Sequence, residues 1–212
     1  MDFDALRERM VSEQILQRGI EEPKILEAFR AVERHLFVSE QNRKFAYEDY
    51  PLPIGENQTI SQPYIVALMT QHLEVGESQK VLEVGTGSGY QAAILSYLGA
   101  SVYSIERVPA LAQKAKLLLD SLKCKVEVKA GDSTLGWPQN APYDRIIVTA
   151  ASPAVSPCWI EQLKVEGRMV IPLGGPLQQE LTVVKKISVS KIDKEVVCAC
   201  MFVPLLGEYG YK

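Results

Sequence analysis

This chain has no excess of positive charge, little histidine, no clustered cysteine and no long apolar run. Lys and Arg total 23 against 26 Asp and Glu, a formal net charge of −3. A protein that grips a nucleic-acid backbone carries a basic face, so the charge argues against that partner. The only histidines are His35 and His72, far apart and in no recognisable catalytic cluster. The four cysteines, Cys124, Cys158, Cys198 and Cys200, are scattered, with no histidine spaced as a zinc site requires, so no metal is expected. In a reducing compartment they read as free thiols, with Cys198 and Cys200 on one face of a strand. No apolar run reaches the ~18 residues of a membrane span, so no membrane contact is expected. The opening MDFDALRERMVSEQ lacks the apolar centre and small-residue cleavage site of a signal peptide, which points to a cytoplasmic location. What is there is 212 residues, 47% hydrophobic and 23% charged, the usage of one ordinary globular domain.

The first third reads as helical. Phe3, Leu6, Met10 and Ile15 recur at near-helical spacing up to Gly19. Pro23 opens a second helix through Val32, and residues 35–55 read as an ordered loop. Ser61 before Pro63 marks a third helix start, running towards Gly76. From Lys80 the pattern becomes strand 81–85, helix 90–98, strand 101–106, helix 109–122, strand 125–132, strand 144–151, short helix 158–163 and strand 167–174. That order predicts an α/β fold, a Rossmann-like doubly wound, mostly parallel sheet with helices on both faces. ELTVVKKISVS and KEVVCACMFVPL, joined by a polar turn near Lys191–Lys194, predict closing antiparallel strands.

The strongest local signal is Gly85-Thr86-Gly87-Ser88-Gly89-Tyr90, set between a strand and a helix. In open α/β sheets ligands sit beyond the carboxyl ends of the strands, and glycines there admit a tight turn and a close nucleotide. Glu106 ends the next strand, where a carboxylate can accept ribose hydroxyls. Asp132 ends the third, where one can accept from an adenine amino group. A dinucleotide fold carries G-x-G-x-x-G; here the pattern is G-x-G-x-G, with Glu83 two residues ahead. An acid at that position repels a pyrophosphate and suits a cation such as the ammonium and sulfonium of S-adenosylmethionine.

EVGTGSGY with Glu106 resembles class I S-adenosylmethionine-dependent methyltransferases. IGENQTISQPYIVALM (54–69) narrows the resemblance to the protein-L-isoaspartate O-methyltransferase family. ERHLFV (33–38), SIERVPALA (104–112), GDSTLGW (131–137), APYDRIIVTAA (141–151), GRMVIPLGG (167–175) and FVPLLG (202–207) match that family in order and spacing, across residues 5–207. The resemblance implies methyl transfer from S-adenosylmethionine to the free α-carboxylate of L-isoaspartyl residues, D-aspartyl being a further candidate, in damaged proteins and peptides. S-adenosylhomocysteine is the product, and the ester later cyclises to a succinimide without the enzyme. It implies a helical extension and active-site lid over 1–78 and a Rossmann-like S-adenosylmethionine-binding core over 79–212, working as a monomer.

Residue by residue, the resemblance makes Ser61 the active-site serine, orienting the carboxylate rather than attacking. Thr59, Ser61, Glu83, Gly85, Thr86, Gly87, Ser88, Gly89, Glu106, Arg107, Asp132 and Ser133 are then expected on the cofactor. Ile60, Val148, Thr149 and Ala150 are expected on the substrate peptide. Two positions depart from the family pattern: Ser133 where glycine is frequent, and Thr149 where a small residue is. Three competitors remain at this level: a methyltransferase acting on a small molecule or RNA, a nicotinamide oxidoreductase, and a binding module without activity. The TIS block and the five-residue glycine spacing weigh against them.

Overall fold

Apolar runs bounded by turn residues between Lys80 and Gly175 dictate a parallel sheet, and a computed structural model describing residues 1–212 contains it. The strands are β3 (Lys80–Val84), β4 (Ser101–Glu106), β5 (Val126–Ala130), β6 (Tyr143–Val148), β7 (Leu163–Gly175), β8 (Gln178–Lys186) and β9 (Ile192–Cys200). They follow the order β5-β4-β3-β6-β7-β8-β9. The β5-β4-β3-β6-β7 part is parallel; β7-β8 and β8-β9 are antiparallel. The chain runs outward from β3 through β4 to β5 and then returns to β6 on the other side. The crevice at that reversal is where such sheets bind ligands.

Alternation along the strands splits the core in two. Val81, Ile147 and Val170 face the larger cluster, which holds the apolar sides of α2 (Pro23–Ala31), α3 (Pro63–Leu73), α4 (Tyr90–Tyr97) and α5 (Pro109–Ser121). Leu82, Val84, Ile146, Val148, Met169 and Ile171 face the smaller one, covered by α6 (Pro157–Gln162) through Trp159 and by Leu205. Helices do lie on both faces, but unequally.

The N-terminal third departs most from its sequence reading. α1 spans Phe3–Arg9, capped by Asp2 accepting from the Ala5 amide at 3.0 Å, and then widens into a π-helical segment, Met10–Ile15. That widening leaves Met10, Val11 and Ile15 fully buried together. Residues 35–55, read as a loop, include two short 3₁₀ turns, Arg34–Phe37 and Glu40–Phe45. They lead into a hairpin of β1 (Leu52–Gly55) and β2 (Gln58–Ile60), closed by Glu56 and Asn57, both with positive φ. α3 begins one residue later than expected. Gln62 stands at its N-cap with no side-chain cap bond, so Ser61 is not the helix cap.

The C-terminal end departs too. The hairpin turn lies just before Ile192, and β9 stops at Cys200. FVPLLG is not a sheet strand. It crosses the carboxyl edge of the sheet and meets Ala151 through a single bridge, with the Ala151 amide on the Val203 carbonyl at 2.8 Å.

Candidate functional site

A cavity of about 500 Å³ opens over the carboxyl ends of β3, β4 and β6, a size suited to a nucleoside-scale ligand. Its floor is the turn after β3. The Gly85 amide donates to the Ile105 carbonyl at 2.8 Å, and the Gly89 amide closes the turn on the Thr86 carbonyl at 2.8 Å. Gly85 has φ +96°, and a Cβ there would lie 2.7 Å from Thr149 Oγ1. The position excludes a side chain on both counts. Gly85, Thr86, Gly87 and Ser88 line the cavity, whereas Gly89 does not. Gly89 caps α4 at φ +88°, where a Cβ would meet Leu119 Cδ1 at 3.1 Å, so its place is the contact of α4 with α5.

Glu83 is fully buried and on the cavity wall. Its Oε2 accepts from Ser104 Oγ, and Ser104 Oγ is 2.6 Å from Thr86 Oγ1. Its Oε1 has no partner. Burial pushes its pKa up to about 8, against the Ser104 hydrogen bond and with the help of Glu106. An orphaned carboxylate oxygen in a closed wall is costly unless a donor completes it. A ligand ammonium has the charge and the protons to do so, so the residues present fit S-adenosylmethionine.

Glu106 ties two backbone segments together. Its Oε2 accepts from the Gly87 amide at 2.8 Å and its Oε1 from the Val108 amide at 2.9 Å. Each oxygen keeps a lone pair for a ligand hydroxyl. Arg107 follows it on the exposed rim and also lines the cavity.

The opposite wall comes from the N-terminal third. Thr59, Ile60 and Ser61 line it beside Glu56, Asn57 and Gln58 of the hairpin. The Ser61 carbonyl accepts from Arg34 Nη2 at 2.6 Å. Thr149 and Ala150 form a third side. Thr149 Oγ1 donates to the Gly85 carbonyl at 2.5 Å and lies 3.1 Å from the Val84 carbonyl, so this hydroxyl braces the glycine turn.

Besides Gly89, two more expected residues lie elsewhere. Asp132 does not line the cavity. Its Oδ1 accepts from the Thr134 amide at 2.9 Å and from Thr134 Oγ1 at 2.6 Å, and its Oδ2 from the Glu208 amide at 2.9 Å. The carboxylate clasps the C-terminal segment to a 3₁₀ turn; Ser133, its buried neighbour, is the residue on the wall. Val148 is also off the wall, its side chain in the smaller core cluster.

The sequence reading missed several wall residues. Val66, Met69 and Gln91 reach it from α3 and α4, and Val203, Pro204, Leu205 and Leu206 from the crossing segment. Tyr90 also lines it, fully buried, with a phenol oxygen that has no hydrogen-bond partner. The FVPLLG match was the one available pointer to the crossing segment. For α3 the sequence marked only a helix starting at Ser61 and Pro63 and running towards Gly76.

The family described as Protein-L-isoaspartate(D-aspartate) O-methyltransferase (PCMT) matches residues 5–210. A relative named protein-L-isoaspartate O-methyltransferase from Trichlorobacter lovleyi is 51% identical, over 100% of this chain and 98% of its own. One of the same name from Syntrophotalea carbinolica is 48% identical over the same shares. A solved structure titled protein-L-isoaspartate O-methyltransferase superposes with a TM-score of 0.88 at 28% identity, over 96% of this chain and 67% of that one. A Plasmodium falciparum structure, described as a putative protein-L-isoaspartate O-methyltransferase in complex with S-adenosyl-L-homocysteine, shares the fold at TM-score 0.83 and 21% identity, over 97% and 99% of the two chains.

Proposed function

The chain belongs to the protein-L-isoaspartate(D-aspartate) O-methyltransferase family, and from that premise we propose how this site carries out S-adenosylmethionine-dependent methylation of the L-isoaspartyl α-carboxylate. The observation that carries the reading is that Ser61, released from helix capping, lines the same cavity as the Gly85–Ser88 turn and the orphaned Glu83 carboxylate.

S-adenosylmethionine, when bound, supplies an electrophilic methyl group on a sulfonium. Glu83 holds the ammonium and Glu106 the ribose hydroxyls, with Gly85, Thr86, Gly87, Ser88, Arg107 and Ser133 completing that wall. Thr59 and Ile60 close over it. Ser61 donates its hydroxyl to the substrate oxygen that does not attack, turning the other toward the methyl group. Thr149 and Ala150 present main-chain groups to the peptide, which suits an enzyme indifferent to most side chains.

The chemistry asks little of acid–base catalysis. An α-carboxylate has an ordinary pKa of roughly 4 and is ionised at pH 7. No histidine or lysine lines the cavity, and none is needed. Attack neutralises an anion and a cation, so a site that excludes water and aligns the two favours it. The same reading takes the enzyme as a monomer, since one chain walls the whole cavity, and as cytoplasmic, in keeping with four free cysteines.

The test is transfer of labelled methyl groups to one short peptide in aspartyl and isoaspartyl forms. Base-labile label on the isoaspartyl form alone is the expected result. Label on neither, or equally on both, would overturn the substrate assignment.

A further inference from the structure

Arg34 is a charged side chain that the proposed reaction has not used. It opens the 3₁₀ turn Arg34–Phe37 and is completely buried. Nε donates to the Ala46 carbonyl at 2.7 Å and Nη2 to the Ser61 carbonyl at 2.6 Å. Nη1 has no partner. The guanidinium carbon lies 5.0 Å from the centre of the Tyr90 ring. Burial lowers its pKa to about 10, which leaves it charged at pH 7.

None of the chain's ion pairs includes Arg34. Two carbonyls accept from it and an aromatic face lies beside it. A buried cation without a counter-charge is expensive, and buried charges in proteins are normally paired. Apart from Glu83, whose buried carboxyl is protonated in the free protein, the cavity next to it carries Glu56 and Glu106 against the rim residue Arg107. An anionic substrate entering that wall is repelled unless a cation stands behind its binding point.

We propose that Arg34 is a positioning residue for the substrate: its uncompensated charge, one hydrogen bond behind Ser61, draws the isoaspartyl α-carboxylate to Ser61 and selects it over uncharged groups of the same shape. This rests on the reading of Ser61 as the carboxylate's partner. Arg34 touches neither reactant; it acts through the Ser61 backbone and through its field. The substrate anion supplies the missing counter-charge, so substrate binding relieves what folding left unpaired.

The experiment measures binding of two labelled peptides to the enzyme saturated with S-adenosylhomocysteine. One carries the isoaspartyl α-carboxylate; in the other a carboxamide replaces it. The wild type is expected to favour the carboxylate by about tenfold or more. Arg34→Gln is expected to bring that ratio close to one while S-adenosylhomocysteine affinity stays within about threefold. A purely structural role would weaken both peptides alike, and an unchanged ratio in Arg34→Gln overturns the proposal. If Arg34→Gln does not fold, Arg34→Lys takes its place, keeping the charge without the fork. A preserved ratio there supports the proposal, and a lost ratio in a folded, S-adenosylhomocysteine-binding variant overturns it. A wild type that binds neither peptide would overturn the isoaspartyl reading and this proposal with it, a pattern distinct from an unchanged ratio.

Discussion

Burial keeps Glu83 protonated to about pH 8 in the free protein, while the ionised form is the one that suits an ammonium. Affinity for S-adenosylhomocysteine should therefore rise about tenfold between pH 6.5 and 8 as the ionised fraction grows. Isothermal titration across that range checks it, and Glu83→Gln should flatten the profile. Stability runs the other way. The folded pKa lies above the unfolded value of 4.5, so the contribution is present in full below pH 4.5 and is lost as pH rises through about 8. The free protein should melt at a lower temperature at pH 8.5 than at pH 6, and Glu83→Gln should lose that difference. At Ser61, replacement by alanine should slow methylation about 10- to 100-fold while leaving S-adenosylhomocysteine affinity within about threefold. Equal losses in both would assign the hydroxyl to the cofactor pocket. Gly85, Gly87, Glu83, Glu106 and Ser61, all on the cavity wall, were legible because each stands at a strand end or in a block with its own spacing. Arg34 was not: in sequence a charged residue reads as surface, and only the fold shows it enclosed.

Between elements, the clasp at Asp132 matters most. Burial alone would raise its pKa, but hydrogen bonds from Thr134 and Glu208, with Arg107 nearby, outweigh that and hold it below the ordinary value. Asp132→Ala removes the acceptor that ties the turn after β5 to the segment crossing the cavity. It should cost about 2 kcal/mol of stability and weaken S-adenosylhomocysteine binding, because Val203–Leu206 wall the site. Thermal melts with and without ligand check both. The same clasp is lost as pH falls through the lowered folded pKa, its full contribution being present above the unfolded value of 3.8. From β3 to α5 the elements matched their sequence reading within a residue or two, because apolar runs and Gly or Pro punctuation are local signals. The π segment, the β1–β2 hairpin and the crossing of FVPLLG were not legible. Their conformations are set by what they pack against: Met10, Val11 and Ile15 share one core with α2 and α3, and the crossing segment is held by Ala151 and Asp132.

The molecule as a whole gathers its cavity from stretches far apart in the chain, residues 56–61, 83–91, 106–108, 149–150 and 203–206. A ligand that touches all of them should stabilise the fold globally. At about 100 times its Kd, S-adenosylhomocysteine should add about 2.7 kcal/mol, or roughly 5–10 °C in Tm for a chain of this size. NAD should add nothing. A shift with NAD instead would point to a dinucleotide site.

The Asp132 clasp also bears on how the molecule ages. Aspartyl residues turn into isoaspartyl ones when the next backbone nitrogen reaches back to the side-chain carboxyl carbon, most readily where a glycine follows. This chain has no Asn-Gly and no Asp-Gly pair. At the turn after β5, where the family often has glycine, Ser133 follows Asp132, buried, while the carboxylate is held by Thr134 and Glu208. The carboxylate that would have to be attacked is kept on other partners. The enzyme's own strand-end acid is thereby shielded from the spontaneous damage that its substrates have suffered.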